Sequence, residues 1–143
     1  MGPVELRWAS ETDRGALKTI SNNSKYEWHH NLEYFDEVLR FKRALVAYDG
    51  ESPVGYLLFQ VIWGNTPFLS QIWLQDDYQG QGLGKKMVSL LEERLRTEGY
   101  DSLTTSNEKK NNDGIAFCKK MGFQEIGVLE MAHGPEVFSI KKL

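Results

Sequence analysis

The sequence contains one cysteine, three histidines and four prolines, and it has no long hydrophobic run. The single cysteine, Cys118, excludes an internal disulfide, and the few histidines form no Cys/His cluster at metal-ligand spacing, so we expect no metal. No stretch reaches the length needed to cross a bilayer, and the N-terminus has no basic start followed by an apolar segment. These absences predict a cytoplasmic protein without a membrane partner.

Charge of neither sign is in large excess. The net charge is -3 and 26% of the residues are charged, so the chain lacks the basic character of a nucleic-acid-binding protein and we expect no such partner. The 143 residues, of which 41% are hydrophobic, suit an ordinary globular domain. Because no repeat, low-complexity tract or linker interrupts the chain, we predict a single domain over residues 1–143.

The spacing of apolar residues predicts the element order β-α-α-β-β-β-α-β-α-β-β. The first helix begins at "SETD", where Ser10 and Asp13 have capping-box spacing. A turn at Asp49–Ser52 joins two strands as a hairpin, and a long amphipathic helix covers residues 82–98. The second helix places its apolar face on Leu32, Phe35, Val38, Leu39 and Phe41. This order predicts an α/β (α+β) fold, with a mixed, mostly antiparallel central sheet of about six to seven strands and helices on both faces.

The stretch "YQGQGLGKKM" places Gly80, Gly82 and Gly84 at alternate positions just before the long helix. A helix N-terminus has backbone N–H groups without helical partners and a partial positive charge, and glycines let those groups approach an anion. The pattern therefore indicates a phosphate or pyrophosphate site, with Lys85 and Lys86 nearby. The alternative is a glycine-rich turn that lets the helix pack closely on the sheet.

Two named phosphate motifs do not fit this spacing. The glycines read G-x-G-x-G and lack the longer second step of the dinucleotide fingerprint. Gly84-Lys85 is followed by Lys86, where a P-loop has Ser or Thr. A nicotinamide or nucleoside triphosphate site is therefore disfavoured.

The stretch "IWLQDDYQGQGLGKKMVSLL" resembles the acetyl-CoA-binding motif of the GNAT superfamily of N-acetyltransferases. Its core, Gln/Arg-x-x-Gly-x-Gly/Ala, is matched by Gln79, Gly82 and Gly84. A second block, "NNDGIAFCKKMGF", is similar to the later motif of that family, and the element order also follows the family along essentially the whole chain. The resemblance implies a GNAT-like fold and transfer of an acetyl group from acetyl-CoA to a primary amine of a small molecule or peptide.

The resemblance also implies which residues bind acetyl-CoA. In that family the strand before the glycines splays from its neighbour and its backbone pairs with the pantetheine arm, which here implies Ile72, Trp73 and Leu74. The pyrophosphate then lies on the backbone amides of Gln79, Gly80, Gln81, Gly82, Leu83, Gly84 and Lys85. The second block implies pantetheine contacts from Asn111, Gly114 and Phe117. For Phe117, core packing on an amphipathic helix is the alternative.

Acetyl transfer requires removal of a proton from the amine, because an alkyl ammonium is almost wholly charged at neutral pH. Some relatives have a carboxylate on the strand before the glycines, where this chain has Ser70 and Gln71. The resemblance places the first helical pair over the acceptor site, which implies Glu27, His29 or His30 as the base, and a water relay is the alternative. His133 is a further histidine candidate.

One cysteine and three tryptophans each have a functional and a structural interpretation. Many relatives carry a Tyr as general acid where this chain has Cys118, whose thiol is a candidate acid for the leaving thiolate. The alternative is a small buried apolar residue. Trp28, Trp63 and Trp73 are candidates for the wall of an acceptor pocket, with aromatic core as the default.

Three functions stay open at this point. The first is the amine N-acetyltransferase described above, with acetyl-CoA and an amine as its partners. The second is a non-catalytic acyl-CoA-binding module, and the third is an acetyltransferase for protein N-termini or lysines. The segments that the resemblance places near the acceptor, Tyr26–Phe41 and Met131–Glu136, do not name it. A homodimer is also left open.

Overall fold

The structure is a computed structural model that describes residues 3–24 and 32–143. Its strands form a seven-stranded sheet in the order β1-β2-β3-β4-β5-β7-β6. The strands are β1 (Val4–Trp8), β2 (Ala44–Asp49), β3 (Ser52–Ile62), β4 (Thr66–Leu74), β5 (Ser102–Glu108), β6 (Gln124–Met131) and β7 (Gly134–Lys142). The helices are α1 (Arg14–Asn23), α2 (Leu32–Arg40), α3 (Leu83–Thr97) and α4 (Asn112–Lys120), and short 3-10 turns cover Glu11–Asp13 and Asp76–Tyr78.

The sheet is mixed. β4 and β5 run parallel, whereas β1 with β2, β2 with β3, β5 with β7 and β6 with β7 are antiparallel. A parallel pair needs a crossover connection, and α3 supplies it between β4 and β5. The predicted fold class, a mixed and mostly antiparallel sheet with helices, is confirmed.

The chain divides into two compact units. The first contains Met1–Gln60 and Gln71–Ser89, and the second contains Val61–Ser70 and Leu90–Leu143. β4 and α3 therefore contribute residues to both.

In the first unit, α1 and α2 pack on one face of β2 and β3. This core consists of Ala9, Leu17, Ile20, Phe35, Val38, Leu39, Ala44, Val46, Tyr48, Tyr56, Leu58 and Trp73. The residues that alternate with these along the strands, among them Leu45, Leu57 and Phe59, are also buried. Because successive side chains of a strand point to opposite faces, both faces of this part of the sheet are covered, as predicted. Strands buried on both faces are apolar almost throughout, which explains the run "ALVAY".

The hairpin between β2 and β3 forms where the sequence predicts it. Asp49 pairs with Ser52 across a two-residue turn, and Gly50 has a φ of 61°. Positive φ is what such tight turns require, and glycine adopts it at little cost. Further along β3, a Cβ at Gly55 would lie 2.6 Å from the carbonyl oxygen of Trp73. Gly55 therefore lets the end of β4 pack closely against β3.

Two apolar residues do not take the core positions expected of them. Phe41 follows the last residue of α2 and is 50% exposed, with the Arg43 guanidinium 4.9 Å from its ring centroid. Trp63 lies in the turn between β3 and β4, has a φ of 56° and is 88% exposed. Both predictions were wrong because residue type indicates hydrophobicity but not whether the helix or strand has already ended.

In the second unit, both helical segments lie on one face of the sheet. Lys141 of β7 donates to Glu92 of α3 at 3.1 Å, and Asn107 of β5 donates to Cys118 of α4 at 3.2 Å. Lys141 pairs with Leu103, and Asn107 lies four residues after Leu103 on β5, so the three side chains point to the same face of the sheet. At the sheet edge, β6 is exposed along its whole length. No helix among the described residues has the length and apolar character needed to span a membrane.

The start of α1 is held by a buried carboxylate. Asp13 is 3% exposed and accepts hydrogen bonds from Tyr48 Oη at 2.6 Å, Arg7 at 2.9 Å and the Ser10 backbone amide at 2.9 Å. Burial, the largest single influence, raises the pKa of Asp13, but the three hydrogen bonds and the charge of Arg7 together outweigh it and lower that pKa below its ordinary value. The predicted capping partnership of Ser10 and Asp13 is thus part of a larger network.

Replacing Asp13 with Asn should lower the free energy of unfolding by about 1–3 kcal/mol at neutral pH. The reason is that the single oxygen of an amide cannot accept all three of the hydrogen bonds that the carboxylate accepts. A carboxyl whose folded pKa is depressed stabilises the fold above its unfolded pKa, and that stabilisation is lost as the pH falls through the folded pKa. Urea unfolding at neutral pH and at about pH 3 should therefore show the variant and wild type converging in acid.

Asp36→Asn is the matched control. Asp36 accepts from Arg14 at 2.6 Å in an exposed ion pair, for which the expected effect on unfolding is small. Equal losses from the two substitutions would contradict the role assigned to Asp13.

Candidate functional site

The glycine loop, residues 75–82, connects β4 to α3. Gly80 has a φ of 75° and Gly82 a φ of 81°, and a Cβ at either position would meet no other atom within 4 Å. Both glycines are therefore required by the backbone conformation and not by crowding from the protein. This argues against the alternative that these two glycines exist to let the helix pack closely on the sheet.

The first turn of α3 presents backbone amides at its start. The amide of Lys86 donates to the Gly82 carbonyl at 3.1 Å and begins the helical ladder. The amides of Leu83, Gly84 and Lys85 precede that bond, so they have no helical acceptor four residues back. Lys85 and Lys86 are exposed beside them. Amides and cations in this arrangement suit a phosphate or pyrophosphate group.

Two of the three glutamines of the loop, Gln79 and Gln81, support its shape. Gln79 Nε2 donates to the Leu74 carbonyl at 2.8 Å, and its backbone amide donates to the Asp76 carbonyl at 3.2 Å. Gln81 Nε2 donates to the Asp77 carbonyl at 2.9 Å. Both side chains thus fold the loop back on the turn that precedes it.

At the end of β4, the large side chains of Trp73 and Leu74 are buried in the interior of the first unit. Trp73 and Leu74 are 9% and 8% exposed, and Trp73 belongs to the core beneath α1 and α2. Ile72 is half-buried. The side chain of Trp73 therefore packs in the core and does not wall a surface pocket, which leaves the backbone as the part of this residue that a ligand can use.

The second predicted block lies in the second unit, at the start of α4. Asn111 Oδ1 accepts the Gly114 amide at 3.0 Å and caps the helix. A Cβ at Gly114 would lie 2.5 Å from Asn111 Nδ2 and even closer to Asn107 Oδ1. The Asn-x-x-Gly spacing thus has a local reason, since the cap folds over the glycine. Phe117 is half-buried.

Cys118 is 7% exposed on α4, and its Sγ accepts a hydrogen bond from Asn107 Nδ2 at 3.2 Å. Burial raises the pKa of the Cys118 thiol, and the hydrogen bond from Asn107 acts in the opposite direction without cancelling it. The thiol therefore carries its proton at neutral pH. Sequence reasoning missed Asn107, because no pattern links an asparagine at a strand end to a cysteine on the following helix.

The base candidates fall in two places. Glu27 and His29, with His30 and Trp28, lie outside the described residues. His133, in the connection between β6 and β7, is within 3.0 Å of Glu136, which is 8% exposed. Gln71, on β4 before the glycine loop, is not a base, and it accepts a hydrogen bond from the buried Tyr56 hydroxyl at 3.0 Å.

Other surface features do not coincide with these residues. A groove of about 380 Å³ along α2 is lined by Glu33, Asp36, Glu37, Arg40 and Phe41. Residues 3–24 and 32–143 contain no group of three or more His, Cys, Asp or Glu side chains placed to hold a metal ion. The residues predicted to bind acetyl-CoA form two sets. One set is the end of β4 with the glycine loop in the first unit, and the other is the start of α4 in the second unit.

Comparison with known proteins identifies the family. Residues 6–123 match the Acetyltransferase (GNAT) family. This chain belongs to the GNAT family. The GNAT protein is accordingly an enzyme, an N-acetyltransferase, as the resemblance of its glycine motif implied.

Two curated relatives carry names that state an acceptor. The GNAT protein is 26% identical over 148 residues to the thialysine N-epsilon-acetyltransferase of Mus musculus, covering 88% of this chain and 87% of the relative. It is 31% identical over 83 residues to the peptidyl-lysine N-acetyltransferase YjaB of Salmonella typhimurium, covering 58% of this chain and 50% of the relative.

Solved structures share the fold at low identity. Ard1 from Thermoplasma volcanium superposes with a TM-score of 0.87 at 15% identity, covering 98% of this chain and 97% of that one. Arabidopsis thaliana Naa50, in complex with the bisubstrate analogue CoA-Ac-MVNAL, superposes with a TM-score of 0.83 at 15% identity, covering 98% and 99%. At this identity the comparison establishes the GNAT fold of this chain.

Replacing Gly82 with Ala should weaken acetyl-CoA binding, because an L-residue in the left-handed region costs about 1–2 kcal/mol and the loop would relax to another shape. Titration calorimetry with acetyl-CoA measures the effect. Gly127→Ala is the matched control, since a Cβ there also meets no atom within 4 Å while Gly127 is not among the positive-φ glycines. Equal acetyl-CoA affinity of the two variants would contradict the role of the backbone conformation.

Proposed function

We propose that this GNAT enzyme transfers the acetyl group of acetyl-CoA to a primary amine by direct attack of the amine on the thioester carbonyl. The observation that carries the proposal is the glycine loop, whose left-handed turns at Gly80 and Gly82 open onto the first amides of α3. We assign the pyrophosphate of acetyl-CoA to those amides, with Lys85 and Lys86 adding positive charge.

The pantetheine arm is proposed to pair with the backbone of Ile72, Trp73 and Leu74. Support comes from the side chains of Trp73 and Leu74, which are buried and so not available to the arm. The Leu74 carbonyl already accepts from Gln79, so the arm would use other backbone groups of this segment. We place Asn111, Gly114 and Phe117 along the same arm. The cap at Asn111 and Gly114 fixes the start of α4 without needing a ligand. All of these residues are proposed to serve one acyltransferase domain over residues 1–143.

The acceptor is proposed to be the side-chain amine of lysine or of a lysine-like compound. The names of the two curated relatives both place the acetyl group on an amine of this type. A peptide N-terminus is the second candidate, and it is carried by the shared fold with Naa50, whose bound analogue contains a peptide. The relatives' names make the side-chain amine the first choice.

The chemistry needs a proton acceptor for the ammonium and a proton for the leaving thiolate. We propose Glu27 or His29 as the acceptor, with the His133–Glu136 pair as the third candidate. For the thiolate we propose Cys118, supported by the raised pKa that keeps its thiol protonated. In the overall reaction the C–N bond forms, the C–S bond breaks, and one proton of the ammonium is released.

The function is tested with acetyl-CoA and a matched set of acceptors. One peptide has a blocked N-terminus and a single lysine, a second has a free N-terminus and arginine in place of lysine, and free lysine and thialysine complete the set. Thiol release is followed with each acceptor, and mass spectrometry locates the acetyl group. We expect acceptor-dependent release with the lysine-containing compounds.

Each alternative has its own outcome in the same experiment. Release with the free N-terminus alone would replace the lysine proposal by N-terminal acetylation. Acetyl-CoA binding in calorimetry without release from any acceptor would indicate a non-catalytic module. Absence of acetyl-CoA binding would overturn the assignment of the glycine loop.

Replacing Cys118 with Ala should lower kcat by about tenfold or more while leaving the dissociation constant of acetyl-CoA unchanged, because a general acid acts in the transition state and not in binding. Steady-state kinetics and calorimetry separate the two effects. Cys118→Ser, which keeps a protic group of similar size, is the control. Turnover of the Ala variant equal to that of wild type would assign Cys118 to packing.

A further inference from the structure

The glycine loop is held to β2 by a hydrogen bond from Tyr78, which precedes the core of the family motif formed by Gln79, Gly82 and Gly84. Tyr78 Oη donates to Asp49 Oδ2 at 2.5 Å. A hydrogen bond to a carboxylate is shorter and stronger than one between neutral groups. The pKa of Tyr78 is raised above its ordinary value mainly by the hydrogen bond to Asp49. Burial and the charges of Asp49 and Asp77 raise it further. The hydroxyl therefore keeps its proton and remains a donor.

The backbone of Asp49, which accepts this bond through its side chain, is held by strand pairing. Asp49 is the last residue of β2, and it pairs with Val4 of β1 on one side and with Ser52 of β3 on the other. The hairpin turn that follows it is the tight two-residue turn with Gly50. The backbone of Asp49 is thus held among three strands that do not include the loop.

Two further side-chain bonds of the loop are local. Gln79 bonds to Leu74, and Gln81 bonds to Asp77, so each spans only a few residues within the turn. Such bonds set the shape of the loop but not its position on the first unit. The glycines add no packing, because a Cβ at Gly80 or Gly82 would meet no atom within 4 Å. Segments with few packing contacts are the ones that open most readily.

We infer that Tyr78 and Asp49 are positioning residues that hold the glycine loop in the conformation that binds acetyl-CoA. The inference rests on the proposed function of the loop. Without the bond, the loop adopts more conformations, and a smaller fraction of the molecules has the conformation that binds acetyl-CoA. The apparent affinity for acetyl-CoA falls in proportion to that fraction. The chemical step is unaffected, because neither side chain is assigned to the acceptor or to the thioester.

The test is Tyr78→Phe, which removes one hydroxyl and keeps the ring. The dissociation constant of acetyl-CoA in calorimetry should rise about tenfold, as expected for a hydrogen bond to a charged group. The KM for acetyl-CoA should rise in parallel, while kcat at saturating acetyl-CoA stays within about twofold of wild type.

Tyr48→Phe is the matched control. It removes a second tyrosine-to-aspartate bond in the same unit, the 2.6 Å bond to Asp13, from the residue that precedes Asp49. It should lower Tm and leave the dissociation constant of acetyl-CoA unchanged. If both substitutions weakened binding equally, the effect would be general destabilisation and the inference would be wrong.

A double-mutant cycle tests whether the two residues act as a pair. Asp49→Ala should weaken binding about as much as Tyr78→Phe, and the double variant should be no weaker than either, because one bond is lost in all three. Additive losses would contradict the pairing. If the wild type binds acetyl-CoA and Tyr78→Phe binds it with the same affinity, the inference is wrong but the proposed function stands. If the wild type does not bind acetyl-CoA, the proposed function is wrong and the inference with it.

Discussion

The left-handed backbone at Gly80 and Gly82 is the constraint on which the acetyl-CoA site depends. The chain leaves β4 at Leu74 and must enter α3 at Leu83 with the first helical amides open to a ligand. An L-residue at either glycine would raise the energy of that path by about 1–2 kcal/mol. Because nothing packs against the glycines, the path is maintained by hydrogen bonds of neighbouring polar side chains.

The end of β2 connects this loop with the helical side of the first unit. Tyr48 donates to Asp13 at the start of α1, and the next residue, Asp49, accepts from Tyr78 of the glycine loop. Adjacent strand residues point to opposite sides, so consecutive positions serve two different elements. One of these bonds supports the fold and the other supports the site, although they are chemically alike.

In the second unit, polar side chains determine how α4 begins. Asn111 caps the helix over Gly114, and Asn107 occupies the remaining space beside that glycine while donating to Cys118. A residue larger than glycine at position 114 would have to displace the side-chain amides of Asn107 and Asn111. The motif therefore has a structural reason of its own, independent of any ligand that it contacts.

Local patterns identified much of the fold. The alternation of apolar residues located the strands, the Asp49–Ser52 turn located the hairpin, and the glycine spacing located the start of α3, because each depends on residues close together in the chain. Phe41 and Trp63 were misplaced, since their exposure depends on where a neighbouring element ends. The Tyr78–Asp49 and Asn107–Cys118 bonds were not found, because the partners are distant in sequence and common residue types carry no signal of pairing.

The resemblance of two motifs indicated the family. The sequence by itself determined the order of elements, and with it the loop whose backbone must turn left-handed. Those features follow from backbone sterics and hydrophobic periodicity, which act over a few residues. Only the tertiary structure decided that Trp73 is core and Trp63 is exposed, that Cys118 is buried against Asn107, and that Asp49 holds Tyr78. Burial and side-chain pairing depend on which distant segments come into contact, and a single sequence does not show those contacts.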